Sequence, residues 1–105
     1  MIRAIMIPTM YSMPSVIELP DTVREQNDAI CNMIGCELFD IVRVSDDALL
    51  FVDDEGLLRG LLPNPTAMMV SQYPQMLVGA AVLVGIAGDT IDNVPDRYID
   101  ALCRG

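Results

Sequence analysis

The chain has 105 residues, of which 52% are hydrophobic, and it carries fifteen Asp or Glu against six Arg, for a net charge of −9. That length suits one domain (residues 1–105), would bury about 65% of its unfolded surface, and with this apolar content excludes a disordered chain. The acidic balance and the lack of any basic run count against nucleic-acid binding through phosphate neutralisation, and no direct nucleic-acid partner is expected.

Ile2–Ile7 reads as a strand closed by Pro8, and residues 8–14 as a loop. Ser15–Leu19 returns as a second strand, so the pair forms a hairpin. Pro20-Asp21 opens a helix over residues 22–34, with Asp21 as N-cap, Val23, Ile30, Met33 and Ile34 on the inner face, and Gly35 as its stop. Strands follow over residues 37–44 and 48–52, joined by a turn at Ser45-Asp46-Asp47. Asp53-Asp54-Glu55-Gly56 is a tight turn, from which residues 57–62 return as a further strand. Pro63-Asn64-Pro65 ends that run, because proline fixes φ and removes a ladder donor. A short helix over residues 66–72 takes Asn64 or Thr66 as its cap. Tyr73-Pro74 is a break, residues 77–86 a buried strand, residues 88–93 a turn-rich loop, and residues 96–104 a C-terminal helix with Tyr98, Ile99 and Leu102 inward. This order predicts an α+β fold: a mainly antiparallel sheet with one principal helix packed on it and a short C-terminal helix. Its open strand edges invite pairing between copies, so a homo-oligomer is expected.

The residue types that are missing restrict the chemistry. With no His or Lys, no Ser-His or Cys-His nucleophile, Schiff base or phosphate-loop lysine can be built. Carboxylates at Asp46-Asp47 and Asp53-Asp54-Glu55 are turn chemistry first. Their alternative role is holding a divalent cation for phosphodiester hydrolysis. Cys31, Cys36 and Cys103 show no metal-ligand spacing and read as small core fillers and free thiols of a reducing cytoplasm. Eight Met supply a soft core or an apolar contact surface. No cofactor is implied. The longest apolar run, residues 76–87, is too short for a membrane helix of about 20 residues, and no membrane association is expected. The stretch Pro63-Asn64-Pro65-Thr66 is the candidate ligand-reading element. Asn64 and Thr66 supply polar groups on a rigid backbone, and Arg59 and Arg43 are the nearest cations for an anionic ligand.

The run Phe51-Val52-Asp53-Asp54-Glu55-Gly56-Leu57-Leu58-Arg59-Gly60-Leu61-Leu62-Pro63-Asn64-Pro65-Thr66-Ala67, with Val78-Gly79-Ala80-Ala81-Val82-Leu83-Val84-Gly85, resembles the DUF3846 family. Ile17-Glu18-Leu19-Pro20 and Ile41-Val42-Arg43 extend the resemblance over residues 2–86, and this chain is longer than the pattern around Tyr73-Pro74. The resemblance implies a small protein of phages and actinobacteria. It implies no catalytic residue.

The expectation is therefore a non-enzymatic, phage-type accessory protein in the cytoplasm of a bacterial host, acting in host takeover or counter-defence. It would block a basic host protein with its acidic surface, or sequester a small anionic, nucleotide-type ligand. The alternatives are the metal-dependent hydrolase and a structural part with no ligand.

Overall fold

A computed structural model describes residues 1–9, 12–72 and 76–103, in the order β1 (Ile2–Ile7), β2 (Ser15–Leu19), α1 (Val23–Ile34), β3 (Phe39–Ser45), β4 (Ala48–Asp53), α2 (Pro65–Ser71), β5 (Ala81–Ala87), β6 (Thr90–Asp92) and α3 (Asp96–Cys103). The strands form one antiparallel sheet in the order β2-β1-β5-β4-β3, with β6 also paired to β5. The centre of the 8–14 loop, the Tyr73-Pro74 break and the Arg104 end of the last helix lie outside the described residues.

The expected α+β architecture holds, and helices cover both faces. Side chains alternate along a strand, so one strand feeds two cores. On one face Leu19, Phe51, Val82 and Val84 pack with Ile30 and Ile34 of α1. On the other, Ile5, Ile7, Leu50, Val52 and Leu83 pack with Ala67 of α2 and with Ile99 and Leu102 of α3. The near-continuous apolar run of β5 follows from burial on both sides. The α3 end is also tied to the β3–β4 turn: Arg97 grips both Asp47 carboxylate oxygens, at 2.9 and 2.6 Å, and Tyr98 Oη donates to Ser45 Oγ at 2.9 Å.

Four expectations are corrected. Residues 57–62 are not a strand. After β4 the chain passes through turns, with Arg59 N–H bonding to the Glu55 carbonyl at 3.0 Å and Leu61 N–H to that of Gly56 at 3.1 Å. The neighbour of β4 on the side away from β3 is instead β5. Second, the loop at residues 88–93 contains β6. Gly88 at φ +62° and Asp89 make a two-residue turn that pairs Ala87 with Thr90, which is the Gly-Asp hairpin signature. Third, β5 begins at Ala81 rather than residue 77; Leu77 and Val78 are buried, and Val78 makes only an isolated bridge to Pro63. Fourth, the N-cap of α1 is Thr22, not Asp21. Thr22 Oγ1 accepts Glu25 N–H at 3.4 Å and donates to Glu25 Oε1 at 2.8 Å, in a Thr-x-x-Glu sequence of the capping-box type. Asp21 pairs with the N-terminal amine at 2.8 Å. This register turns Val23 to the surface and buries Gln26, whose amide donates to the Pro20 carbonyl at 2.9 Å.

Candidate functional site

The four residues singled out as ligand readers do not converge. Asn64 is 1% exposed and caps α2. Its Oδ1 accepts Ala67 N–H at 3.0 Å, and its Nδ2 donates to the carbonyls of Ile7 at 3.1 Å and Gly79 at 2.9 Å. Every one of those bonds goes to backbone, so the Asn between two prolines pins α2 to β1 and to the approach to β5. Thr66 lies half-buried in the first turn of α2. Arg43, on the edge strand β3, donates to the Asp46 carbonyl at 3.1 Å, at the closed end of the β3–β4 hairpin. Arg59 sits by the open end, where Phe39 pairs with Asp53. Four residues of strand, about 13 Å, separate those two ends.

Arg59 is the organiser of that open end. Its Nη1 pairs with the Asp53 carboxylate, which is only 2% exposed, and donates to the Gly35 carbonyl at 2.9 Å. Asp53 also accepts Glu55 N–H at 2.8 Å, the side-chain-to-backbone turn that Asp favours. One ion pair thus fixes residues 53–59 against the C-terminal stop of α1. Gly56 lies so close to Val78 that a Cβ there would come within 2.6 Å of its Cγ2.

The loop held in this way forms one wall of a cleft of about 360 Å³, lined by Asp40, Asp54 and Glu55 and by Leu57, Leu58 and Met76. Leu57 is 71% exposed, Leu58 86% and Met76 56%. Leu38 and Leu62, also exposed, lie on the flanking segments. Adjacent leucines left in water beside three carboxylates set this surface apart, because isolated exposed apolar residues are ordinary and grouped ones are not. The acidic groups are not gathered as ion ligands: among the described residues no three Cys, Asp or Glu side chains come together to hold a metal. A smaller hollow beside the cleft is lined by Glu37, Leu38, Asp53, Glu55 and Arg59.

The sequence reads as a tight turn over residues 53–56 and a strand over residues 57–62. The signal was present in the glycines at 56 and 60, which favour a loop over a strand. What the leucines then face depends on the Asp53–Arg59 pair, which has no local signature.

The chain matches, over residues 2–104, the family described as a domain of unknown function (DUF3846), and it belongs to that family. It is also similar to an uncharacterized protein, y4iR, of Sinorhizobium fredii (strain NBRC 101917 / NGR234), at 43% identity over 56 residues. That alignment covers 52% of this chain and 32% of the relative, so the similarity spans about a third of the relative's length. No solved structure matches the chain.

Proposed function

We propose that this member of the family is a non-enzymatic binding protein that docks a basic, amphipathic segment of a partner protein in the cleft beside Leu57 and Leu58. The observation that carries this reading is the pairing of exposed Leu57, Leu58 and Met76 with the carboxylates of Asp40, Asp54 and Glu55 on one concave surface. Apolar anchors supply the affinity of such a surface and the opposed charges its orientation and on-rate. Methionine adapts to irregular partner side chains. An anionic ligand is less well served. Arg59 faces Asp53, Arg97 faces Asp47, and Arg3 lies 3.7 Å from Asp96. In the phage-type setting that the sequence suggested, a small acidic chain of this kind acts by occupying a basic host protein, in host takeover or counter-defence.

The test uses a fluorescent peptide alternating Leu and Lys at helical spacing, followed by anisotropy against the purified chain. The L57D/L58D variant is expected to lose at least tenfold in affinity. The D54N/E55Q variant is expected to weaken binding and flatten its salt dependence, as a rim charge does. E18Q/D28N removes the same charge elsewhere and leaves binding unchanged. Equal loss in the rim variant and in this control would reduce the effect to net charge and overturn the proposal.

A further inference from the structure

Two cysteines that look unrelated in sequence meet at the end of α1. Gly35, at φ +77°, closes the helix in the left-handed conformation, and both Gly35 N–H and Cys36 N–H bond to the Cys31 carbonyl, at 2.8 and 3.0 Å. The Cys36 bond is the six-to-one bond of a Schellman cap, which is commonly accompanied by contact between the side chains at the two positions it joins. Here those positions are Cys31 and Cys36. The Cys36 N–H bond brings the two cysteines to one corner of the helix end. Cys31 Sγ also donates to the Glu37 carbonyl at 3.7 Å. Both thiols are free and half-buried.

The backbone spacing is compatible with a disulfide. A carbonyl oxygen lies about 2.4 Å from its own Cα and an amide nitrogen about 1.5 Å from its own. With 3.0 Å between them, the two Cα atoms are at most about 6.9 Å apart, and closer because the path bends. Disulfides span roughly 4.4–6.8 Å.

We propose that Cys31 and Cys36 form a dithiol site that is oxidised by low-molecular-weight disulfides, closing an intramolecular disulfide across the C-terminal cap of α1. The Cys31 thiolate attacks one sulfur of the small disulfide and expels one thiolate, leaving a mixed disulfide on Cys31. The Cys36 sulfur, after losing its proton to solvent, attacks Cys31 Sγ and expels the second small thiolate. The two expelled thiolates take up the two protons, so the pair of cysteines is oxidised by two electrons and one small disulfide becomes two thiols. Burial, with the neighbouring Cys31, pushes the Cys36 thiol up to about 12. A thiol held up in this way is the slower attacker, so the exchange is written from Cys31. The disulfide would bracket Gly35, whose carbonyl holds Arg59.

The experiment incubates the intact chain with oxidised glutathione, blocks remaining thiols with iodoacetamide, and maps the tryptic peptides by mass. Cleavage after Arg24 and Arg43 leaves both cysteines in the peptide of residues 25–43, while Cys103 falls in another and reports general oxidation. The expected product is the 25–43 peptide lighter by two hydrogens and unalkylated, with Cys103 still alkylated. In C36S the same treatment is expected to leave one glutathione on Cys31, with no further reaction. A 25–43 peptide that stays doubly alkylated, that carries two glutathiones, or that cross-links to Cys103 would overturn the proposal.

Discussion

Replacing Asn64 by Ala separates the two roles open to the residue between the prolines. The side chain is 1% exposed and makes three bonds, accepting from Ala67 N–H and donating to the carbonyls of Ile7 and Gly79. Losing an N-cap of this type costs about 1 kcal/mol. Each of the two buried carbonyls left without its donor adds on the order of 1 kcal/mol. The sum is roughly 3 kcal/mol, a large share of the 5–15 kcal/mol that holds a domain together. At this size a loss of about 3 kcal/mol lowers Tm by on the order of 12 °C. Urea unfolding should show a lower midpoint with an unchanged slope, since the surface exposed on unfolding is the same. N64D tests the donor side alone. It keeps an acceptor for Ala67 N–H but turns a carboxylate on two carbonyls, and it should be at least as destabilised as N64A. A shift below about 1 kcal/mol in N64A would refute the reasoning.

Two further outcomes follow from the same contacts. Arg97 first, and then Ser45, hold the Asp47 carboxyl well below its ordinary value of 3.8. A carboxylate with a lowered folded pKa contributes stability that is complete above the ordinary value and is lost as pH falls towards the folded one. Melting curves of wild type and D47N should therefore differ at neutral pH and converge as the pH is taken below about 4; a constant gap across that range would exclude the linkage. G85A should destabilise by about 3 kcal/mol, the upper end for overpacking, because a Cβ at Gly85 would stand 2.0 Å from the Asn93 carbonyl oxygen, which belongs to backbone and cannot rotate away. Denaturant unfolding measures it, and a near-neutral effect would mean that the β5–β6 register shifts at little cost.

Much of the scaffold was legible because its signals are local. β1, β2, α1 and the β3–β4 hairpin follow from apolar runs and their punctuation, and Pro65 in the first turn of α2 with Asn64 before it is a helix start. The missed elements have longer-range causes. Leu57 to Leu62 carries strand-like composition, yet β4 prefers β5, which is buried on both faces. β6 is only three residues, and its hairpin signal lies in Gly88-Asp89 alone. The thiol pair was legible in principle: a glycine stop at 35 places residues 31 and 36 side by side, whereas a search for Cys-x-x-Cys spacing passes over it. The cleft was not, since exposure of Leu57 and Leu58 depends on Asp53 meeting an Arg six residues away and on that Arg reaching the end of α1.

Arg59 shows why a cation near a candidate site need not be a ligand-binding group. Its partner Asp53 is almost fully buried, and a buried carboxylate without a cation would be strongly unfavourable. The guanidinium is therefore committed to Asp53, and its remaining reach goes to the Gly35 carbonyl. What the protein gains is placement: the pair holds the turn so that the two leucines after Gly56 project into water beside Asp54 and Glu55. The same Gly35 carbonyl lies between the two cysteines, so the thiol corner and the cleft wall share one anchor. Removing the positive charge would therefore disturb the acidic, apolar surface by letting its loop go. A ligand-reading arginine would instead leave that surface intact and lose only the ligand.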